Sequence, residues 1–372
     1  MNFLFQNLLA LSWQQVTMWV IGGILITLAI KKKMEPALLL PIGFGAILVN
    51  LPFSGAVDQY IHGILQEGAL STLYEMGIVN ELLPLLLFIG IGAMCDFGPL
   101  LSNPVLMMFG AAAQFGIFLT FCVGSMFFPI NDAASIATIG AADGPTAIVV
   151  AQVLKSQYLG PITVAAYSYM ALVPIIQPPV IRFLTTKEER KIRMEYEPKS
   201  VSITTRVLFP IIITIIAGLV APASVALVGF LMFGNLIKEC GVLNSLSDTA
   251  QDSLTNIITL ILGITIASQM RAEQFLQADT LMILALGLFA FVFDTAGGVL
   301  FAKFLNLFLK KKVNPMIGAA GISAFPMSGR IVHKMGLEED NQNFLLMHSM
   351  GVNVSGQIAS VIAGGLMMSF FL

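Results

Sequence analysis

Residues 131–154, NDAASIATIGAADGPTAIVVAQVL, interrupt a long apolar sequence with small residues, glycine and proline, and carry Asp143 near their centre. Backbone broken by Gly and Pro at membrane depth leaves amides and carbonyls without helical partners, which is tolerated only where protein or a water-filled cavity satisfies them. An ionised carboxylate in hydrocarbon costs on the order of 3 kcal/mol even on a lenient insertion scale. Asp143 must therefore meet a cation, a hydrogen-bond donor or water, and we expect this segment to line a path through a membrane.

The composition of the whole chain places it in the membrane. Of 372 residues, 57% are hydrophobic and only 11% are charged, whereas a soluble domain carries about a quarter charged residues. We therefore predict an all-α, polytopic integral membrane protein with roughly nine to eleven transmembrane helices. The stretch 55–80 contains more charge and is expected to be an interfacial amphipathic helix. The apolar runs lie at 16–30, 36–53, 82–95, 104–129, 161–185, 207–236 (two passes with a hinge near Ala221–Pro222), 256–270, 280–309 and 343–372.

Several classes of function are disfavoured by the charge and the cysteines. The net charge is −2 and the cations stand in short clusters, so no nucleic-acid partner is expected. The three cysteines, Cys95, Cys122 and Cys240, are far apart in sequence, which argues against zinc, an iron–sulfur cluster or a disulfide framework. The chain has no phosphate-loop motif and no biotin-attachment motif, so we expect neither an ATP-driven pump nor a chain that carries its own biotin.

The basic clusters predict how the chain is organised across the membrane. They are Lys31–Lys33, the polar segment 186–206 and Lys310–Lys312. The positive-inside rule places all three in the cytoplasm and the N-terminus outside. We expect a single polytopic domain over 1–372, in which a first half (1–185) and a second half (207–372) are joined by the cytoplasmic loop 186–206.

A second broken segment lies in the second half, at residues 314–330, NPMIGAAGISAFPMSGR. The sequence Ile139-Gly-Ala-Ala recurs as Ile317-Gly-Ala-Ala, an offset of 178 residues (139 to 317). Four such residues can match by chance in a chain rich in Gly and Ala, but each copy is also followed by a polar residue and a proline. Broken segments at matching positions of two halves indicate an inverted-repeat transporter, with an ion site between the repeats near the midplane.

The polar residues of these segments suggest which ion is bound. Carboxylate, amide, hydroxyl and freed carbonyl oxygens are hard donors that suit a small alkali cation, so sodium is the expected occupant. A simpler alternative for Asp143 is that it caps a helix beginning at Pro145, since Asp is a good N-cap and proline suits the first turn. Besides Asp143, the candidate oxygen ligands of the ion are Asn314, Ser323, Asn353 and Ser355.

Three motifs resemble the signature segments of a known family. GAADGPTAI, NPMIGAAGISAFPMSGR and GVNVSGQIASVIAGG are similar, in the same order, to segments of the β subunit of biotin-dependent, sodium-pumping decarboxylases, which act on oxaloacetate, glutaconyl-CoA, methylmalonyl-CoA or malonate. The resemblance extends from about residue 15 to the C-terminus. It implies that this chain removes CO2 from carboxybiotin delivered by a partner, and that it exports sodium while a proton is taken up from outside.

The resemblance also implies roles for individual residues. Asp143, Asn314, Gly318, Ser323 and Asn353 match family positions associated with sodium. Tyr169 and Ser323 match residues implicated in proton delivery, and Arg330 matches the arginine that closes the second signature. A planar, permanently charged guanidinium suits a carboxylate or ureido oxygen, so we expect Arg330, together with Asn314, to bind carboxybiotin.

Each of these residues also has an ordinary structural interpretation. Arg330 could extend to the interface from a helix end, and Tyr169 and Ser323 could each satisfy a helix carbonyl. Asp294 is either a second ion ligand or the partner of a nearby hydroxyl. His348 either senses protons or is a buried neutral histidine bonded to a carbonyl.

The resemblance predicts partners and a cellular location. A chain of this kind needs a carboxyltransferase subunit, a biotin carrier subunit and a small single-span membrane subunit, forms a homo-oligomer within the complex, and lies in the inner (plasma) membrane of a prokaryote. Its cofactors are the sodium ion and carboxybiotin carried by the partner. The alternative is a secondary transporter, a sodium-coupled carboxylate symporter or sodium/proton antiporter without covalent chemistry.

Overall fold

A computed structural model describes residues 9–61, 63–195 and 200–372 of the chain. The architecture is helical, as the composition predicts, and the only sheet in the described part is one short hairpin. The elements of the first half are α1 (Trp13–Lys32), α2 (Pro36–Val49), strands β1 (Gln59–Ile61) and β2 (Ile64–Gln66), α3 (Ala69–Tyr74) with a π-helical turn (Glu75–Val79), α4 (Leu82–Met94), α5 (Gly98–Ser102), α6 (Leu106–Ala113), α7 (Phe115–Gly124), α8 (Ile130–Ala137) with a 3-10 turn (Thr138–Ala141), α9 (Gly144–Val153) and α10 (Leu159–Leu184).

The described chain after α10 is also helical. Its elements are α11 (Lys187–Arg190), α12 (Ile203–Val220) with a 3-10 turn (Pro222–Ser224), α13 (Val225–Glu239), α14 (Asn244–Thr249) with a π-helical turn (Ala250–Leu254), α15 (Thr255–Ile266) with a 3-10 turn (Ala267–Gln269), α16 (Ala272–Phe275), α17 (Ala278–Leu305), α18 (Met316–Ala319), α19 (Met327–Glu339) and α20 (Leu346–Phe371).

The long helices confirm a polytopic membrane protein. Seven helical stretches of the described residues are long and apolar enough to cross a membrane, or eight if the pair Ala69–Val79 and Leu82–Met94, bent by 60°, is one span. This number is below the nine to eleven crossings expected, because some apolar runs fold as shorter helices, such as the 14-residue α2. The run 207–236 does break where proline predicted it, since α12 ends at Val220 and a 3-10 turn begins at Pro222.

The stretch 55–80 is not one amphipathic helix, which corrects the sequence-based expectation. Gln59–Ile61 and Ile64–Gln66 pair as an antiparallel hairpin. Gly63 lies in the turn with φ +79, a left-handed conformation that glycine adopts without a steric penalty. A helix begins only at Ala69 and continues into the π-helical turn Glu75–Val79.

Helices at corresponding positions of the two halves pack on corresponding partners. α1 packs on α2 as α12 packs on α13, and α4 packs on α13 as α15 packs on α2. Among the remaining long helices, α10 packs on α17 as α20 packs on α6. Even the irregular turns correspond, because a six-residue helix followed by a five-residue π-helical turn occurs once in each half, at Ala69–Val79 and at Asn244–Leu254.

The first broken segment folds as a re-entrant hairpin. α8 leads inward, the 3-10 turn forms the tip, and α9 returns. The two ends are tied together at one side, where the Ser156 hydroxyl donates to Asp132 Oδ1 over 2.6 Å and the Gln157 amide donates to the same oxygen over 3.2 Å. These bonds satisfy the Asp132 carboxylate, which is 5% exposed. Asp132 therefore closes the mouth of the hairpin, by which we mean the side where its two chain ends lie together.

The second broken segment is also a re-entrant hairpin, formed by α18, the tip 320–326 and α19. Its two ends meet the same loop. Asn314 Nδ2 donates to the Arg190 carbonyl over 2.8 Å, and the Arg190 guanidinium forms a 2.6 Å ion pair with Glu339. Both ends of this hairpin therefore lie beside α11.

The two hairpins open to opposite sides of the protein. The mouth of the first hairpin leads directly into the start of α10, where Tyr158 donates a 3.0 Å hydrogen bond to Asp279 at the start of α17. The other ends of these two helices meet where Lys303 donates to the Leu184 carbonyl over 3.1 Å, next to α11. α10 has 26 residues, a length of about 39 Å at 1.5 Å per residue, which separates the two mouths.

The basic clusters share one side. Lys303 pairs with Glu189 at 3.1 Å and Lys311 with Glu195 at 3.4 Å, so the 310–312 cluster lies beside the 186–195 loop. Glu35, next to Lys31–Lys33, lies within electrostatic reach of Arg330 on α19. The three clusters that the positive-inside rule assigns to the cytoplasm are thus found at the same face.

The tight crossing of α17 and α18 generates a stability prediction. A Cβ on Gly298 would lie 2.0 Å from the Gly318 carbonyl oxygen, so Gly298→Ala should lower the free energy of unfolding by roughly 1–3 kcal/mol through overpacking. Thermal unfolding in detergent measures this. The matched control is Gly23→Ala in α1, where a Cβ would meet nothing within 4 Å and where alanine should be neutral or stabilising by up to about 1 kcal/mol. Equal melting temperatures for the two variants would contradict the described crossing.

Candidate ion-binding site

The tips of the two re-entrant hairpins touch. The Ser323 amide donates to the Ala141 carbonyl over 2.9 Å. Ala142 follows in the left-handed conformation, at φ 53 and ψ 41, which costs roughly 1–2 kcal/mol for a residue with a Cβ. This turn ends the 3-10 helix and lets a new helix begin immediately after Asp143.

Asp143 is buried at this crossing and is 3% exposed. It is the N-cap of α9, since its Oδ1 accepts from the Thr146 amide at 3.4 Å, so the capping interpretation is confirmed. Its Oδ2 also accepts from the Thr146 hydroxyl at 2.7 Å and from the Ser360 hydroxyl of α20 at 2.9 Å. The carboxylate therefore links the first tip to the last helix, which capping alone does not require.

One face of α20 holds the second tip. Asn353, Gln357 and Ser360 follow one another at spacings of four and three residues, which places them on the same side of a helix. Asn353 Nδ2 donates to the Ala320 and Ile322 carbonyls at 3.0 and 2.7 Å. Gln357 Nε2 donates to the Ser323 carbonyl. The carbonyls freed by the break are thus satisfied by side-chain amides.

The same amides leave acceptor oxygens free. Asn353 Oδ1 and Gln357 Oε1 are buried and have no hydrogen-bond partner among the described residues. A buried polar atom without a partner costs about 1–3 kcal/mol. Amide, carboxylate and hydroxyl oxygens are the ligands that a hard cation prefers, so these two oxygens and the Asp143 carboxylate are the candidate ligands that the structure offers.

Two of the predicted sodium ligands lie elsewhere. Asn314 stands at the mouth of the second hairpin, where its Nδ2 donates to the Arg190 and Ile192 carbonyls at 2.8 and 2.9 Å and its Oδ1 accepts from the Met316 amide at 3.0 Å. Gly318 packs against Gly298. The structure does not bring either residue to Asp143.

The residues predicted for proton delivery and carboxybiotin are spread along the second hairpin and α10. Ser323 donates to the Gly356 carbonyl at 3.0 Å and lies at the tip contact. Tyr169 donates to the Leu284 carbonyl on α17 at 2.5 Å. Arg330 is exposed near the start of α19. Burial raises the pKa of Glu35, and the nearby Arg330 guanidinium acts in the opposite direction.

Asp294 and Ser355 form hydrogen bonds with other parts of the protein, not with Asp143. Asp294 is fully buried, and its Oδ1 accepts from the Ile117 amide at 3.1 Å at the start of α7. Its Oδ2 has no partner among the described residues and lies against Gly140 of the first tip. Ser355 donates to the Leu106 carbonyl at 2.9 Å, away from the two tips.

His348 lies near the start of α20, twelve residues before Ser360. It lines a cavity of about 810 Å³ together with Arg193, Lys311 and Lys312. The cavity opens at the face that carries the basic clusters.

Three residues at the crossing were not among those predicted from the sequence. Thr146 and Ser360 bond to Asp143, and Gln357 supports Ser323. The spacing of polar residues could have identified two of them, because Gln357 and Ser360 stand four and seven residues after Asn353 on one helical face.

The fold and the site together define a class of protein. Two re-entrant hairpins that enter a helical membrane protein from opposite sides and meet at a buried carboxylate with free amide oxygens are typical of ion-coupled membrane transport. Comparison with known proteins specifies the family. Residues 14–371 match the model of the Na⁺-transporting oxaloacetate decarboxylase beta subunit, and the chain belongs to this family.

Curated relatives extend over almost all of the chain. It is 46% identical to the methylmalonyl-CoA decarboxylase subunit beta of Propionigenium modestum, over 97% of this chain and 96% of the relative. It is 44% identical to the probable oxaloacetate decarboxylase beta chain of Vibrio cholerae, over 98% and 97%. It is 46% identical to the glutaconyl-CoA decarboxylase subunit beta of Acidaminococcus fermentans, over 97% and 94%. The resemblance found in the three motifs is thereby confirmed.

Cross-linking tests the contact between the tips. In a chain without Cys95, Cys122 and Cys240, the pair Ala141→Cys and Ser323→Cys should be joined by a short bifunctional thiol reagent in membranes, because their backbones share a 2.9 Å hydrogen bond. The control pair is Ala141→Cys with Ser369→Cys, near the far end of α20. Mass spectrometry identifies the joined peptides, and equal yields for both pairs would refute the crossing.

Proposed function

We propose that this chain decarboxylates carboxybiotin presented by a partner carrier and couples that reaction to sodium export with uptake of a proton. The observation that carries the proposal is the buried Asp143 at the crossing of the two tips, bonded to Ser360 of α20, the helix whose Asn353 and Gln357 side-chain oxygens have no partner among the described residues. Membership in a family of sodium-transporting decarboxylase subunits supports it.

Asp143 is the group that we propose to exchange sodium for a proton. When it is ionised, its two oxygens and the free amide oxygens of α20 can surround an alkali cation. When it is protonated, the charge that attracts the cation is gone and the ion is released. Ser323 and Ser360 add hydroxyl oxygens that either ligate the ion or bond to the carboxyl.

Carboxybiotin is proposed to bind at the face of the basic clusters. Loss of CO2 breaks the bond between the ureido nitrogen and the carboxylate carbon, and the nitrogen must then accept a proton. The exposed Arg330 can hold the carboxylate or the ureido oxygen through its planar fork. Asn314, at the mouth of the same hairpin, keeps that mouth in place through the carbonyls of Arg190 and Ile192.

Tyr169 and Ser323 remain proposed proton carriers. Ser323 stands at the tip contact, one hydrogen bond from Ala141. Tyr169 now bonds to the Leu284 carbonyl, so its participation requires that this bond be exchanged. Gly318 is proposed to act through close packing with Gly298, which lets the second hairpin approach α17.

Alternating access is proposed to arise from an inverted repeat of 1–185 and 207–372 about the loop 186–206. The equivalent packing partners of the two halves support this, as do the matched π-helical turns and the opposite mouths of the hairpins. Export of two sodium ions against one proton would move one net charge outward, opposed by about 2.3 kcal/mol per 100 mV. Decarboxylation is the proposed source of this free energy.

The relatives are named as subunits or chains of decarboxylases, which supports partners for this chain. We propose a carboxyltransferase subunit, a biotin carrier, a small single-span membrane subunit and a homo-oligomeric arrangement in the prokaryotic inner membrane, with the basic face in the cytoplasm. The alternative of a purely secondary sodium transporter is separated from this proposal by the assay below.

The decisive measurement is CO2 release from free carboxybiotin by the full chain in proteoliposomes. We expect release that depends on sodium, and Asp143→Asn should abolish this dependence because the neutral amide cannot trade the ion for a proton. The matched control is Asp58→Asn, just before strand β1. Asp58 is a part-buried carboxylate that accepts a hydrogen bond from the Gly68 amide. Sodium uptake without CO2 release would favour the secondary transporter.

A second prediction separates the carboxybiotin site from the ion site. Arg330→Ala should raise the KM for carboxybiotin at least tenfold, as expected for loss of a charge-assisted contact, while the half-saturating sodium concentration stays unchanged. Lys334→Ala, one helical turn further along α19 and also exposed, serves as control. A change in sodium dependence without a change in KM would assign Arg330 to the ion path instead.

A further inference from the structure

The membrane-spanning stretch Leu106–Gly124 is interrupted near its middle. α6 ends at Ala113, α7 begins at Phe115, and Gln114 between them has φ −78 and ψ 4, outside the α-helical range. An interrupted backbone at membrane depth is tolerated only where it is buried in protein or lines a water-filled cavity. Gln114 is 3% exposed, so the protein encloses this break.

The Gln114 side chain reaches the second tip. Its Nε2 donates to the Gly110 carbonyl over 3.0 Å and to the Gly321 carbonyl over 3.4 Å. A Cβ on Gly321 would lie 2.7 Å from the Ala113 Cβ and 2.7 Å from the Phe109 carbonyl oxygen. α6 and the second tip are therefore in close contact at the point where Gln114 donates.

Gln114 completes a set of side-chain amides around this tip. The five consecutive carbonyls of residues 319–323 each accept a hydrogen bond from an amide side chain. α10 supplies one of these amides, α20 supplies two, and the break between α6 and α7 supplies the last. The donors, in the order of the carbonyls, are Gln177, Asn353, Gln114, Asn353 and Gln357. The tip is thus held by three separate parts of the protein.

Gly321 connects Gln114 to the crossing of the two tips. Two residues further on, the Ser323 amide donates to the Ala141 carbonyl over 2.9 Å, and Ala141 stands two residues before Asp143. Gly321 also packs on α20, where a Cβ on Gly356 would collide with the Gly321 carbonyl oxygen. A displacement of Gly321 would therefore be transmitted over a short distance to the first tip and to α20.

We propose that Gln114 is a positioning residue for the ion site, because its hydrogen bond to the Gly321 carbonyl fixes the second tip in the arrangement that binds sodium. The inference rests on the proposed function, since it takes sodium to bind where the two tips meet. Groups that support the ligands of a metal ion from behind raise the affinity for the ion by holding those ligands in place. Loss of the Gln114 bond should therefore weaken sodium binding. It should not affect carboxybiotin, for which the proposed contact is Arg330 on α19.

Asn235 provides a matched control. It is also a buried amide, whose Nδ2 donates to the Cys95 and Gly92 carbonyls over 3.2 and 3.5 Å. These bonds join α13 to α4 and involve neither tip. Gln114→Met and Asn235→Leu each replace an amide by an apolar side chain of similar size, so both should lower the melting temperature measured without sodium. Only the response to sodium should separate the two variants.

The test is thermal unfolding of the full chain in detergent while sodium chloride replaces choline chloride at constant ionic strength. A ligand of the folded state raises the melting temperature once its concentration exceeds its Kd, so sodium should stabilise the wild type. For Gln114→Met, the sodium concentration that gives this rise should increase roughly three- to tenfold, as expected for the loss of one hydrogen bond. Asn235→Leu should keep the wild-type concentration. In the proteoliposome assay, Gln114→Met should raise the half-saturating sodium concentration by the same factor and leave the KM for carboxybiotin unchanged.

A second variant keeps the prediction testable if Gln114→Met does not fold. Gln114→Asn retains the amide but shortens the side chain by one methylene, so the 3.4 Å bond to Gly321 is lost and the same increase is expected. A wild-type response to sodium in a folded Gln114 variant, or an equal change in Asn235→Leu, would overturn the role of Gln114 and leave the proposed function standing. If instead the wild type and Asp143→Asn respond to sodium alike, the proposed function fails, and the role of Gln114 fails with it.

Discussion

The structure depends on one constraint: backbone carbonyls that are freed where a helix breaks inside the membrane must each receive a hydrogen bond. Helix interruptions at the two tips free carbonyl groups in a region where water is scarce, and each needs a donor. The donors come from side-chain amides on neighbouring helices. Asn353 serves Ala320 and Ile322, and Gln177 of α10 serves Ala319 at 2.7 Å. These contacts explain why polar residues stand inside otherwise apolar spans.

The same amides connect the fold to the chemistry. An amide side chain carries donors and an acceptor on one rigid group. At Asn353 and Gln357 the donors hold the second tip, and the acceptor oxygens remain free. A residue that stabilises the broken backbone is therefore also one of the ion ligands that we propose. Function and stability should accordingly be coupled at these positions, since a substitution that removes the ligand also releases the tip.

Much of this arrangement could be predicted from the sequence, and where the structure separates residues that the sequence grouped together, the reason is physical. The broken segments, Asp143 at their centre and the contribution of Asn353 and Ser323 follow from residue types that membranes rarely accept. Asn314 and Gly318 were grouped with them because they share a segment. A re-entrant hairpin separates residues by depth, however, so the mouth residue Asn314 bonds to the Arg190 loop while the tip residue Ser323 meets Ala141. Ser360 was missed because a lone serine among glycines and alanines resembles ordinary helix packing.

The mouths of the two hairpins differ in how firmly they are fixed. The second mouth is held by Arg190, which is almost buried, pairs with Glu339 at 2.6 Å and also donates to the Thr185 carbonyl at 2.6 Å. The more exposed pairs Arg182–Glu338 and Arg193–Asp340 add little individually, because solvent screens them. The first mouth depends on the hydrogen bonds to Asp132 and on a 3.4 Å bond from Asn131 Nδ2 to the Leu154 carbonyl. Because both mouths are tied to the ends of α10, opening either hairpin alone would break buried polar contacts. A displacement of the hairpins together with α10, α17 and α20 preserves those contacts, and is the motion that this bonding pattern favours for the alternating access that we propose.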